Sequence, residues 1–408
     1  MSEQNQYPVF AYRWIVLLSF MLVTIFNQLL WITFAPVTSQ AATYYGVDDL
    51  AIGILSMSFM IAYLFVSIPA SWVIDSYGFR VAVGIGAALT CIFGLMRGLV
   101  ANNYTLVLLA QIGIAIGQPF ILNAVTKVAV RWFPLQERAT ASGLGSLAIY
   151  LGILTGMLLT PFLTIRIGLE RLLLFYGIGA TLAGVFFGAV AREKPPSPPG
   201  LAGEDERVLM FDGLRHILRE RGFLLLMLIF FIGLGVFNSV TTWIEDILRP
   251  RGFTPTQTGV IGGLMIIGGV IGALILPSLS DRNRRRVPFI VLGFAGATLG
   301  LTGITFFTNY YLLIMSAFLL GFFLLSAGPI GFQYGAEIGR PTPEGTTNGL
   351  LLLMGQISGI AFIFGMDSFK VAATGSMTPS LVALMILMLV SLFISTRLRE
   401  SKLLEAGR

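Results

Sequence analysis

The chain has 408 residues, 56% of them hydrophobic and only 11% charged, with a formal net charge of +6 and a mean hydropathy of +0.85. A soluble protein of this length carries far more charge on its surface. The apolar residues come in blocks of roughly 20 to 25, long enough to cross the ~30 Å hydrocarbon core as helices and lacking the alternation of a barrel strand. Backbone groups in lipid must be bonded internally, so helices are the fold element expected throughout. The positive charge falls in loops rather than on one patch, which argues against a nucleic-acid partner.

In chain order, the first apolar block runs from Trp14 to about Thr38, too long for the apolar part of a secretory signal, and is expected to be retained. Twelve helices are predicted near 12–38, 50–74, 80–100, 104–131, 138–165, 169–191, 222–247, 257–280, 286–308, 310–337, 344–371 and 378–397. Cys91, the single cysteine, lies inside the third block and excludes an internal disulfide. With both termini on one side, that side holds 19 of the Lys and Arg residues, while 6, Arg97 among them, fall on the other. The positive-inside rule therefore predicts cytoplasmic termini.

Between the sixth and seventh blocks, Lys194-Pro-Pro-Ser-Pro-Pro-Gly200 reads as an extended linker. Arg207 to Arg221 then mixes Val208, Leu209, Phe211, Leu214, Ile217 and Leu218 with basic residues at helical spacing, an amphipathic segment for the inner leaflet. His216, the only histidine, is expected there as a solvated side chain. The predicted organisation is an N-terminal six-helix bundle over 1–193, a linker with an amphipathic helix over 194–221, and a C-terminal six-helix bundle over 222–408.

The halves echo each other at a spacing near 206 residues. Pro69-Ala-Ser-Trp-Val-Ile-Asp75-Ser-Tyr-Gly78-Phe-Arg80 follows the second block, and Leu276-Pro-Ser-Leu-Ser-Asp281-Arg follows the eighth. Pro134 to Glu137 precedes the fifth block as Pro341 to Glu344 precedes the eleventh. Such repeats build pseudo-symmetric bundles with a substrate site near the midplane where they meet.

The first of these stretches resembles the cytoplasmic signature of the major facilitator superfamily, G-x-x-x-D-x-x-G-x-R, with Ser71 in place of the first glycine and Asp75, Gly78 and Arg80 present. The expected fold class is all-α integral membrane, twelve transmembrane helices in two pseudo-symmetric six-helix bundles, the major facilitator fold. Gly78 permits a tight turn, while Asp75 can pair with a cation or a helix N-terminus. With the echo at Asp281, these residues are candidates for conformational gating, together with Glu137 and Glu344. Helix capping is the simpler alternative.

Beyond the superfamily, several stretches resemble the feline leukaemia virus subgroup C receptor-related family, choline and ethanolamine carriers earlier assigned to haem export. They include Arg13-Trp14, Trp31, Tyr45-Gly-Val47, Gln118 with Phe120-Ile-Leu122, Gly331-Phe-Gln-Tyr-Gly-Ala-Glu337-Ile, Pro343-Glu-Gly-Thr346 and Gln356-Ile-Ser-Gly359. The resemblance implies that Trp31 faces the substrate's ammonium group and that Gln118 and Gln356 bond its hydroxyl end. The family's tyrosine in the seventh helix falls on Asn238, so half of the aromatic box is missing. Phe237 beside it and Tyr150 in the fifth helix complete the candidate substrate contacts.

The residues themselves agree on depth. Trp31 is about seventeen residues into its helix and Gln118 about fourteen into one running the other way, each near the membrane middle at ~1.5 Å per residue. A desolvated tryptophan attracts an organic cation by about 1–2 kcal/mol. Packing of Trp31 and interhelical bonding of each glutamine remain the alternative. Lys127 and Glu337, near the inner ends of the fourth and tenth helices, are candidates for a gate between the halves or for local bonding. Glu245 and Asp246, at the outer end of the seventh helix, are expected to be solvated.

No carboxylate falls in the middle of the first, fourth, seventh or tenth helix, so facilitated diffusion or exchange of a choline- or ethanolamine-like cation or polar amine is favoured over proton symport. The alternatives are proton-coupled efflux of lipophilic compounds and haem or porphyrin export, the latter short of axial ligands. No enzyme motif and no cofactor or metal site is read from the sequence. The expected setting is a multi-pass protein of the plasma or inner membrane, a monomer, whose partners are a small-molecule substrate and the lipid bilayer.

Overall fold

The computed structural model describes residues 10–134, 137–196, 217–339 and 344–400, and among these there are helices and turns but no strand. Twelve helical stretches are long and apolar enough to cross a membrane. They are Arg13–Tyr45, Asp49–Tyr77, Phe79–Leu99, Tyr104–Trp132, Thr140–Ile167, Leu169–Val190, Arg221–Thr242, Pro255–Asn283, Val287–Phe306, Tyr310–Ile338, Thr346–Ser368 and Thr378–Ser395, called here the first to twelfth spans. The second and eighth overrun the predicted ends by several residues. Hydropathy stops at the first charges, whereas backbone hydrogen bonding continues into the polar interface.

Three of the helical paths are interrupted. In the first, the α-helix ends at Ile32, a 3-10 turn covers Ala35–Val37, and helix resumes over Thr38–Tyr45. Pro36 has no N–H to give the Ile32 carbonyl, so the regular ladder fails at that point. The fourth span pauses at Asn123 and Ala124 between helices Tyr104–Leu122 and Val125–Trp132. The seventh ends at Thr242, and a short helix, Ile244–Leu248, continues past Trp243.

The residues divide into two units. The first holds those up to Phe34, Ala41–Val47 and those from Ile54 to Glu206; the second holds Ala35–Gln40, Asp48–Gly53 and those from Arg207 on. One stretch of the first span and the start of the second thus belong with the second unit. The two units share several pairings: the first span lies on the fifth as the seventh lies on the eleventh, the third on the fourth as the ninth on the tenth, and the third on the sixth as the ninth on the twelfth, whereas the eighth packs extensively on the tenth and the second does not do so on the fourth.

Small residues allow these crossings, because lipid offers no hydrophobic drive between helices and close backbone contact must supply the attraction. A Cβ at Gly152 would strike the Ile25 carbonyl and the Gln28 side chain. A Cβ at Gly272 would strike the Phe322 carbonyl, and one at Gly321 the Met265 carbonyl, closing the eighth span onto the tenth. Residues 207–216 of the predicted amphipathic segment, His216 included, lie outside the described residues, as do 197–206 and Pro341–Pro343. Glu344 begins the helix Glu344–Ser368, but its side chain lies outside them too.

Candidate functional site

In the first unit, Trp31 is buried at 6% exposure, and its indole N–H donates to the Ser56 carbonyl of the second span at 3.2 Å. The polar edge of the ring is thereby used internally, which leaves only its π faces for another partner. Gln118 is as buried as Trp31, and Tyr150 is half-buried. Among the described residues, neither the Gln118 amide nor the Tyr150 hydroxyl has a hydrogen-bond partner in the protein. Polar groups inside a bilayer are normally paired, since each unpaired one costs several kcal/mol against hydrocarbon. Two unpartnered groups at mid-span are therefore candidates for contact with water or a solute.

Sequence reasoning missed a buried charge in this unit. Arg97, counted above with the outer loops, is fully buried inside the third span. Its Nη1 donates to the Leu30 carbonyl at 2.9 Å and to Gln111 Oε1 at 2.8 Å. Its Nη2 reaches Thr33 Oγ1 at 3.4 Å, and its guanidinium lies 5.5 Å from the Phe34 ring centroid. Gln111 adds a second donor to the Leu30 carbonyl at 3.2 Å. The arginine thus caps the negative end of the first helix one residue from Trp31, where Pro36 interrupts the ladder. Gln111 carried the only sequence signal, a polar residue two helical turns from Gln118 and on the same face.

In the second unit, Asn238 Nδ2 donates to the Gly355 carbonyl at 3.1 Å, which places the asparagine beside Gln356. Gly235 and Gly355 make this possible: a Cβ on Gly235 would lie 2.7 Å from Ser358 Oγ, and one on Gly355 2.5 Å from Leu234. Asn238 therefore clamps the seventh span to the eleventh, and its side-chain carbonyl is left available. The Gln356 amide, like that of Gln118, has no protein hydrogen-bond partner among the described residues. Phe237 turns away from Asn238 into a small apolar cavity of about 30 Å³ that it shares with Phe230, Phe294 and Leu324.

Several of the gating candidates have partners inside their own units. Lys127 lies 3.7 Å from Asp75, which is two-thirds exposed, so the pair is worth little by itself. Gly78 sits at φ +88°, a left-handed conformation that favours glycine, and a Cβ there would strike the Glu193 carboxylate. That same carboxylate accepts the Arg80 backbone N–H at 2.8 Å and lies 3.8 Å from Arg131. Glu137 accepts from Arg13 Nε at 3.1 Å. In the second unit, Arg286 bridges Asp281 and Glu337, the latter at 3.0 Å. Glu337 is thus held by a cation that the sequence reading did not single out.

The structure corrects one expectation outright. Glu245 and Asp246 are not solvated; they are 1% and 0% exposed. Both bind charged or donor groups from other segments, which hydropathy cannot register.

Two units that share several helix pairings, lipid-length helices and polar side chains left unpaired at mid-span define a polytopic carrier with a repeated bundle. The chain belongs to the Major Facilitator Superfamily, whose family model matches residues 20–363. It is a membrane transporter and not an enzyme. Over 379 residues it is 30% identical to Solute carrier family 49 member A3 of Xenopus tropicalis, covering 89% of this chain and 79% of that protein. It is 28% identical over 386 residues to the choline/ethanolamine transporter flvcr2b of Danio rerio, covering 88% and 79%. Its identity to the choline/ethanolamine transporter FLVCR1 of Felis catus is also 28%, over 382 residues, covering 88% and 68%. Among solved structures, the fold matches the nucleoside transporter NupG at a TM-score of 0.75, with 13% identity and coverage of 94% and 99%. It also matches a bacterial homologue of the human lysosomal transporter Spinster at 0.73, with 16% identity and coverage of 96% and 98%.

Proposed function

We propose that this transporter carries a choline- or ethanolamine-like cation or polar amine by facilitated diffusion or exchange, in a plasma or inner membrane with both termini cytoplasmic. The observation that carries the reading is Gln118, a residue only 6% exposed in the lipid-spanning region, whose amide has no hydrogen-bond partner among the described residues. An amide offers both a donor and an acceptor without charge, which suits a hydroxyl or amine solute. Tyr150 in the first unit and Gln356 in the second share the same unpaired state. Trp31 contributes its ring face, and the names of the 28%-identical relatives point to the same solutes.

Asn238 tilts the preference. A quaternary ammonium donates no hydrogen bond and relies on aromatic faces, whereas a primary ammonium has three N–H groups to give. With an amide carbonyl where the related family has an aromatic ring, ethanolamine is the better-suited solute. Uptake of labelled ethanolamine and choline into proteoliposomes tests this directly. Ethanolamine should be taken up with the lower KM, and Trp31→Ala should cut choline uptake about tenfold, on the scale of a cation–π loss. Unchanged uptake in Trp31→Ala would remove the aromatic contact, and collapse on adding a protonophore would replace diffusion by proton coupling.

A further inference from the structure

Beyond the seventh span, outside its membrane-crossing part, the short helix Ile244–Leu248 carries two adjacent acids into a buried ionic cluster. Glu245 accepts the Ser39 backbone N–H at 2.9 Å and the Ser39 hydroxyl at 2.7 Å. Arg249 reaches Asp49 at 2.7 Å, Asp246 at 3.0 Å and Glu245 at 3.6 Å. Lys370, just past the eleventh span, reaches Asp49 at 2.6 Å and Asp246 at 3.5 Å. These bonds fasten Ala35–Gln40, within the outer part of the first span, and Asp48–Gly53, at the start of the second, to the rest of the second unit.

The cluster is short of one positive charge. Three carboxylates, Asp49, Glu245 and Asp246, meet two cations, Arg249 and Lys370, and Asp48 and Asp367 add only negative charge nearby. Asp246 shows where the deficit falls. Both cations approach its Oδ1, while Oδ2 is buried without a hydrogen-bond partner. An ionised oxygen in that position is strongly disfavoured, because solvation has been removed and nothing replaces it.

We propose that Asp246 is a proton-binding site, and that the proton it holds latches residues 35–40 and 48–53 onto the second unit. With Asp246 neutral the cluster balances, two negative groups against two positive. When it ionises, an excess negative charge is buried beside Asp49 and Glu245, and the bonds to Ser39 and Asp49 weaken. The electrostatics agree in direction: burial first, then the charges of Asp49 and Glu245, push the Asp246 carboxyl up from 3.8 to about 8. Burial disfavours the charged forms of Arg249 and Lys370, yet the Asp49 bonds and the acidic charges outweigh it and keep both protonated. The segments it holds are continuous with the first and second spans, so the latch would make the freedom of those span ends depend on pH. The inference does not depend on which solute is carried.

Hydrogen–deuterium exchange on the purified full-length transporter tests it, following peptides that span 35–40 and 48–53 from pH 6 to 9 with correction for intrinsic exchange. Protection should fall toward tenfold per pH unit from pH 6 to 7, as release of one proton on opening requires, and level off with a midpoint near pH 8, where the latched Asp246 itself ionises. Asp246→Asn, which mimics the neutral acid, should hold the pH 6 protection across the range. Lys370→Gln removes a cation and should move the midpoint to higher pH than in the unaltered chain, a test that survives if the asparagine variant does not fold. Protection independent of pH in the unaltered chain would overturn the proposal, as would an unmoved midpoint in Lys370→Gln.

Discussion

Replacing Gln118 by leucine separates two roles that an intramembrane amide can have. An amide bonded to a neighbouring helix stabilises the bundle by roughly 1 kcal/mol, and its removal lowers the melting temperature. The Gln118 amide has no such partner among the described residues. Gln118→Leu is therefore expected to leave the melting temperature unchanged or raised while ethanolamine uptake falls by about tenfold, the scale of one hydrogen bond to a charged group. A drop in melting temperature with normal uptake would assign the residue to packing. Arg97 should behave in the opposite way. Arg97→Met removes the donors to Leu30, Gln111 and Thr33 together. Loss of a buried charged donor set costs about 3 kcal/mol or more, so a clear drop in melting temperature should appear in detergent. Arg97→Lys should recover little, because an ammonium cannot span the same three acceptors in one plane.

At the scale of elements, the eighth and tenth spans meet backbone to backbone, and side-chain volume there has nowhere to go. Gly272→Val sets a branched side chain against the Phe322 carbonyl, and overpacking of this kind costs about 1–3 kcal/mol or more. Gly188, near the end of the sixth span, has nothing within 4 Å of a built Cβ. Gly188→Ala should be neutral or slightly stabilising, since alanine is the better helix former. Thermal unfolding of the two variants in one detergent checks the contrast, and equal destabilisation would show that the crossing tolerates more than its geometry implies. The same scale explains the interrupted spans. Pro36 was visible in the sequence, but the helix that resumes at Thr38 was not, because resumption depends on Arg97 and Gln111 holding the broken end from other spans.

For the whole molecule, stability should depend on pH through Asp246. Its carboxyl is raised above its unfolded value, so the folded chain holds a proton that the unfolded chain has released. Stability is then greatest on the acid side and falls as pH rises toward about 8, by at most about 1.4 kcal/mol per pH unit. Melting temperatures measured from pH 6 to 8.5 should decline in the unaltered chain and stay level in Asp246→Asn. An equal decline in both would place the titrating group elsewhere.

The number of spans, their order and the internal repeat were legible in the amino-acid sequence, because crossing lipid is a local requirement that about twenty consecutive side chains either meet or fail. The pairings that the two units share agree with the same repeat, whereas the close crossing of the eighth and tenth spans has no such counterpart. Gln118 and Gln356 could be picked out as polar residues at depth, but their unpaired state could not, nor could the bond from Asn238 to the eleventh span. The burial of Arg97, Glu245 and Asp246 was not legible for one reason: a charge near the end of an apolar block reads as solvated until the distant groups that bury it are known. Burial and pairing of charge are sums over neighbours brought together from far along the chain, and only the tertiary structure decides who those neighbours are.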